Sequence, residues 1–192
     1  MNKSIFWLDL SEIAKKALSQ SPQLQTVKVT KEYPDTISIE FSKYPLAANI
    51  INKSSNLKKT YLVNSLGFAV KEDFEKTDLP YITIESDEPI NPKNAVIEKT
   101  KLKYILDSIV YFEDKFGMKV KEVLYKPIAR EIHILTDHDF YLWLDIQRPF
   151  EDQLKKLKKI IVKLDIYKES LQYIDLRIAE NSGDKIIYKR KR

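Results

Sequence analysis

Few residues of this 192-residue sequence have types and spacings that suggest catalysis. The chain has two histidines, no cysteine and three glycines. Asp137, His138 and Asp139 offer three potential metal ligands, but neighbouring residues of one turn rarely converge on a single ion. Three glycines do not form a phosphate-binding loop, and without cysteine there is no disulfide or thiolate site. We therefore expect no enzymatic activity, no metal and no cofactor.

The end of the chain has the most informative pattern. Residues 173–178 alternate between polar and apolar types, with Ile174, Leu176 and Ile178 on one face. This period of two is typical of a half-buried strand. A polar turn at 181–184 and a β-rich run at 185–188 follow, so we expect a terminal hairpin. Such a hairpin tends to lie at a sheet edge, where unpaired backbone groups can bind another chain.

The net charge of +5 is concentrated near the C-terminus. Residues 153–192 include 12 Lys or Arg and 5 Asp or Glu. A basic end can attract nucleic acid, anionic lipid or an acidic partner, whereas the plain interpretation is a solvated helix face followed by a frayed tail. We interpret residues 189–192, which are all basic, as a disordered tail. Because no basic patch is interleaved with aromatic residues, we expect no nucleic-acid binding.

No run of 18 apolar residues occurs, so we expect no membrane-spanning segment in this sequence. The first eight residues also lack the features of a signal peptide.

The first part of the chain predicts a small module of the order strand, helix, strand, strand, which we place at residues 3–50. A strand is expected at 4–8, and Asp9 with Glu12 three residues later resembles the capping box that begins a helix. Alternating residues predict strands at 24–31 and 36–41. A helix packed on one face of a sheet gives an α+β fold.

A polar stretch at 52–56 is the predicted domain boundary, and residues 57–192 form the predicted second domain. We expect an antiparallel sheet built from hairpins, two helices and the terminal hairpin. The first helix would follow Thr100 and end at Gly117, and the second would follow Pro149. Lysines at 155, 156, 158, 159 and 163 are expected on the outside of the second helix.

The strand predicted at 140–146 has two different faces. Phe140, Leu142 and Leu144 share one face, and Tyr141 and Trp143 share the other. The two aromatic residues would either form an exposed patch for a partner or be covered by a helix. His133 is expected on the face of its strand opposite Ile132 and Ile134.

Several short motifs, in this order, make the chain resemble the extracytoplasmic region of the bacterial division protein family FtsQ, called DivIB in Gram-positive bacteria. They are Val27-Lys28-Val29, Tyr33-Pro34-Asp35-Thr36-Ile37, Pro45-Leu46-Ala47, the hairpin at 61–68, Leu79-Pro80 and Tyr173-Ile174-Asp175-Leu176-Arg177. The first module resembles a POTRA domain. The chain differs from the family pattern at 42–44, where a Glu-Arg pair is usual, and at Asn64, which replaces an Asp.

The resemblance implies a non-enzymatic scaffold of the divisome that acts in septum formation. It implies a single-pass protein of the cell membrane, with this region outside the cytoplasm and the anchor outside this sequence. It implies that an FtsB-like protein adds a strand to the edge of the terminal hairpin, and that an FtsL-like protein binds beside the last strands through it. Other divisome proteins would bind at the POTRA domain. The partner-binding residues that it implies are Tyr173, Arg177, Ile178, Ile187 and Tyr188. We expect no small-molecule substrate.

Two alternatives remain at this point. The chain could be a POTRA-containing docking module of a polypeptide export or assembly system. Arg177 and Asp175 could also simply form an ion pair with each other on an exposed strand face, which would contribute less than about 1 kcal/mol.

Overall fold

The computed structural model describes residues 7–54, 57–85, 94–164, 166, 169–178 and 186–191. The chain divides into two compact units, Met1–Leu46 and Ala47–Arg192. The predicted α+β class, with a small module followed by a larger sheet domain, is confirmed.

Between Trp7 and Leu46, the described part of the first unit consists of one helix and a two-stranded antiparallel sheet. Helix α1 (Leu10–Gln20) begins after Asp9, whose Oδ1 accepts hydrogen bonds from the backbone N–H groups of Ser11 (2.9 Å) and Glu12 (3.1 Å). This confirms the predicted N-cap. Strands β1 (Leu24–Glu32) and β2 (Thr36–Lys43) pair along their length. The strand predicted at 4–8 falls mostly outside the described residues, and Trp7 and Leu8 are not in a strand.

The second unit contains a nine-stranded sheet with the order β11-β10-β9-β8-β7-β6-β3-β4-β5. Its strands are β3 (Leu46–Ser54), β4 (Leu57–Asn64), β5 (Ala69–Glu72), β6 (Tyr81–Ile84), β7 (Val120–Lys126), β8 (Glu131–Thr136), β9 (Tyr141–Asp145), β10 (Leu171–Asp175) and β11 (Ile187–Arg190).

The larger sheet is mixed, whereas we predicted an antiparallel one. Strands β3 and β6, β6 and β7, and β9 and β10 pair in parallel. Two of these parallel connections contain the helices, because a parallel pair needs a long crossover. Helix α2 (Lys99–Phe116) links β6 to β7, and helix α3 (Phe150–Leu164) links β9 to β10.

Both crossovers step in the same direction across strands that run the same way. Because such crossovers are right-handed, they place α2 and α3 on the same face of the sheet. The helices contact each other there, and the rings of Tyr104 and Phe150 meet edge to face at 5.5 Å. We call this the helix face, and we call the opposite side the open face.

The core lies between the helices and the helix face. Ile132, Ile134, Leu142, Leu144 and Ile174 contribute their side chains from the strands and are fully buried. Leu102, Ile105, Ile109 and Phe112 of α2 and Leu154 and Leu157 of α3 cover them. Helix α2 ends at Phe116, and the next residue, Gly117, adopts the predicted left-handed conformation with φ 68°.

Four local predictions were wrong. The polar stretch at 52–56 is not the domain boundary, because β3 continues to Ser54 and pairs with β6 in the larger sheet. The N-cap of α2 is Glu98 rather than Thr100. Lys156 does not line the outside of α3, since it is buried and its Nζ donates to the carbonyl of Ile178. Strand β10 ends at Asp175, earlier than expected.

Candidate functional site

Strand β11 forms one edge of the nine-stranded sheet and pairs only with β10 among the described residues. Opposite Ile174 lies Tyr188, and opposite Asp175 lies Ile187. The pairing is antiparallel, which confirms the predicted terminal hairpin; its turn at 181–184 lies outside the described residues. The exposed fractions of Ile187 and Tyr188 are 52% and 40%. Two large apolar side chains are therefore accessible along an unpaired strand edge.

The side chains of β11 alternate between the two faces of the sheet. Residues directly opposite each other in an antiparallel pair share a face. Tyr188 therefore shares the helix face with buried Ile174, whereas Ile187 and Lys189 share the open face with Asp175 and Tyr173. A strand that paired with β11 would extend both faces.

The interpretation of residues 189–192 as a disordered tail was wrong for Lys189 and Arg190, because both belong to β11. The guanidinium of Arg190 forms an ion pair with Glu169, with Nε and Oε2 2.8 Å apart. Lys189 has an exposed side chain and no acidic partner among the described residues. Two of the four basic residues thus lie on the edge strand itself. Lys191 follows the strand, and its backbone N–H donates to the Ser170 carbonyl at 2.7 Å; Arg192 is outside the described residues.

The other edge of the sheet differs from β11. Strand β5 is four residues long and ends in Lys71 and Glu72. Next to it, Phe68 forms a β-bridge with Ala95, and the Val96 N–H donates to the Gly67 carbonyl at 2.8 Å. Another segment of the chain therefore covers the beginning of this edge.

Behind β11, Arg177 is held by two carboxylates. Its Nε and Nη2 donate to Oδ1 and Oδ2 of Asp175 at 2.9 and 2.7 Å, and its Nη1 pairs with Glu131. The backbone N–H of Arg177 also donates to Asp175 at 3.0 Å. Burial raises the pKa of Asp175 and lowers the pKa of Arg177, the direction expected when charged groups leave water.

An aromatic stack on the open face adjoins this ion cluster. Trp143 lies between His133, with ring centroids 4.5 Å apart, and Tyr173, at 4.1 Å, and both pairs are nearly parallel. The guanidinium carbon of Arg177 lies 4.9 Å from the Trp143 ring. Trp143 thus connects β8, β9 and β10, and it carries an attractive cation–π contact.

His133 joins the stack to the ion cluster. Its Nε2 lies 3.0 Å from Glu131 Oε1. Burial lowers the pKa of His133 to about 4, and the positive charge of Lys126 adds to this effect. At neutral pH the ring is therefore uncharged, and its Nε2–H donates to the carboxylate.

A polar pocket of about 340 Å³ opens beside Arg177. Arg130, Glu131, Asp145 and Asp175 contribute charged groups to its lining. The basic groups and the acidic groups lie side by side, and Asp175 and Glu131 are already paired with Arg177.

The five predicted partner-binding residues fall into two groups. Ile187 and Tyr188 lie on the free edge strand. Tyr173 lies on β10, one strand inside the edge, and Arg177 and Ile178 follow that strand and line the pocket. For Asp175 and Arg177, the alternative of an ion pair with each other is the arrangement found, although the pair is partly buried rather than exposed.

Sequence reasoning missed Glu131 and underestimated Trp143. The alternation at 140–146 correctly predicted that Trp143 lies opposite the core, but it contained no information about its neighbours on β8 and β10. No sequence pattern pointed to Glu131. Its ion pair with Arg177 depends on the register that brings β8 next to β9, which a local pattern does not contain.

Two other features of the described residues bear on function. They include no group of three or more potential metal-ligating side chains. In addition, their helices are too short or too polar to cross a lipid bilayer.

Comparison with known families identifies the first module. Residues 1–44 match the family model of the POTRA domain, FtsQ-type. The match ends just before the boundary of the first compact unit at Leu46, and it confirms the resemblance of this module. No curated protein matches the chain.

Proposed function

We propose that this chain is a non-enzymatic scaffold of the bacterial divisome that binds FtsB-like and FtsL-like proteins in septum formation. The FtsQ-type match of residues 1–44 supports the link to cell division. In this proposal the region lies outside the cytoplasm as part of a single-pass membrane protein, and the POTRA domain docks other divisome proteins.

The unpaired edge of β11 is the observation that carries the binding mode. A partner strand would form main-chain hydrogen bonds with this edge, and its alternate side chains would contact the two faces. Ile187 on the open face and Tyr188 on the helix face would make the apolar contacts. The free edge of β11 is better suited to this role than β5, where the chain itself covers part of the edge.

The other three predicted residues would support the edge strand from the neighbouring strand β10 and the residues that follow it. Tyr173 stacks on Trp143, and Arg177 is anchored by Asp175 and Glu131. The carbonyl of Ile178 accepts a hydrogen bond from Lys156 of α3. We propose that these contacts fix the position of β10 and of the residues that follow it. Strand β11, which pairs with β10, is then held in a fixed register.

Backbone N-methylation of the partner tests strand addition directly. Only alternate residues of an added strand direct their N–H groups toward β11. In a peptide of the FtsB-type segment, methylation of one alternate set should abolish binding, and methylation of the other set should have little effect. Equal effects of the two sets would contradict strand addition.

Variants of the chain complete the test. Tyr188→Ala should weaken the binding of FtsB-like protein. Val110→Ala provides a control, because Val110 is 69% exposed on helix α2 and belongs neither to the edge strand nor to the pocket beside Arg177. Binding of an unrelated export component in place of FtsB-like protein would favour the alternative of a docking module in an export or assembly system.

A further inference from the structure

The edge strand β11 combines two features that restrict what can pair with it. Its open face presents Ile187 and Lys189, and its helix face presents Tyr188 and Arg190. The positive charge of Arg190 is offset by Glu169, at 2.8 Å, and its guanidinium carbon lies 5.9 Å from the ring centre of Tyr188. The helix face of this edge is therefore apolar with its charge compensated.

The open face of the same edge presents a positive charge that no described carboxylate compensates. Lys189 is exposed and has no acidic partner among residues 7–54, 57–85 and the other described parts of the chain. Its cross-strand neighbour on β10 is Tyr173, which is not an acidic residue. The nearest carboxylate on β10, Asp175, is already bound by Arg177 through two hydrogen bonds.

From this asymmetry we infer the chemistry of the partner: a strand with apolar side chains on its helix-face side and acidic side chains on its open-face side. An acidic side chain would lie opposite Lys189, and an apolar side chain would lie opposite Tyr188. This inference rests on the proposed strand addition at β11, and it specifies which sequence is accepted there. Opposite charges across a strand pair stabilise it and help to fix its register.

Two synthetic peptides of about six residues, a usual strand length, test the inference with the intact chain. In one, Glu and Val alternate, so that one side of the strand is acidic and the other apolar. In the other, the same residues are grouped into an acidic and an apolar block. The alternating peptide should bind at least about tenfold more tightly, because only alternation separates the two types onto opposite faces.

Exchanging the charges of residue 189 and of the peptide tests whether Lys189 is the residue that the acidic side chains contact. Lys189→Glu should raise the Kd of the alternating Glu peptide about three- to tenfold, and a peptide in which Lys replaces Glu should recover most of this loss. Each effect should shrink as the salt concentration rises from 50 to 500 mM, about as expected for an exposed pair. Lys16→Glu, an exposed lysine of α1, changes the net charge equally and should leave the Kd unchanged.

The outcomes separate this inference from the proposed function. Suppose that the FtsB-like protein slows amide hydrogen exchange in β11, but the Glu and Lys peptides bind equally well to the unmodified chain. The inference is then overturned and strand addition stands. If binding of neither the peptides nor the FtsB-like protein depends on β11, both are overturned. Tight binding of the alternating Glu peptide with rescue by charge exchange supports both.

Discussion

Arg177 binds Asp175 through two parallel hydrogen bonds, Nε to Oδ1 at 2.9 Å and Nη2 to Oδ2 at 2.7 Å. Asp175 is the last residue of β10 and Arg177 follows that strand, and Glu131 completes the cluster from β8. The arginine that sequence motifs suggested as a partner contact therefore has carboxylate partners within its own chain. This changes what its removal should do.

Replacement of Arg177 by Ala should destabilise the second unit by about 2–3 kcal/mol, because it leaves two largely buried carboxylates without their cation. Urea unfolding followed by circular dichroism measures this loss. Arg177→Lys, which keeps the charge but not the paired geometry, should lose less stability. Unchanged stability combined with lost partner binding would instead identify Arg177 as a direct contact.

Acidification should destabilise the fold through His133. Its pKa is about 4 in the folded chain and 6.5 as an ordinary histidine, so the unfolded state binds the proton more readily. The stability that uncharged His133 contributes is fully present above about pH 6.5. As the pH falls toward 4, the free energy of unfolding decreases by up to about 3 kcal/mol.

The variant His133→Gln provides the comparison for this pH dependence. Its amide can still donate to Glu131 but does not titrate. The difference in unfolding free energy between the two proteins should therefore change between pH 6.5 and 4, even though carboxyl groups of both proteins titrate in the same range. A constant difference across this range would contradict the lowered pKa of His133.

Replacement by Ala should destabilise the fold by different amounts at two glycines that have left-handed backbone conformations. At Gly67, with φ 84°, an added Cβ would lie 1.9 Å from the carbonyl oxygen of Ile97, and we expect a loss of more than about 2 kcal/mol. At Gly117, with φ 68°, the space is open, and only the backbone preference of about 1 kcal/mol is lost. Thermal unfolding of the two variants compares them, and equal losses would contradict the role of Ile97.

Tyr188→Ala should weaken partner binding without weakening the fold. The side chain is 40% exposed at the edge, so its removal should change the unfolding free energy by less than about 0.5 kcal/mol. Calorimetric titration with FtsB-like protein, together with urea unfolding, separates the two effects. A large loss of stability would show that Tyr188 belongs to the core rather than to an interaction surface.

Local periodicity predicted much of this fold. The alternation at 140–146 identified β9 and its buried face, and Asp9 and Gly117 correctly marked helix ends. Parallel pairing was not predicted, because periodicity describes one strand and contains no information about its neighbours. The crossovers through α2 and α3 determine that pairing.

The candidate site was predictable to a smaller extent. The terminal hairpin was expected from residues 173–188, but Lys189 and Arg190 were assigned to a tail because charge alone suggested solvation. Their place in β11 depends on pairing with Leu171 and Tyr173, across a bulge that no local pattern indicates. The contact between Arg177 and Glu131 likewise joins residues that are distant in sequence.

Hydrogen exchange measured by mass spectrometry, with and without bound FtsB-like protein, tests the central claim most directly. If the partner adds a strand to β11, the backbone amides of Ile187–Arg190 that face the open edge should exchange much more slowly in the complex. Unchanged exchange at these residues, with new protection at β5 or in the first unit instead, would contradict it.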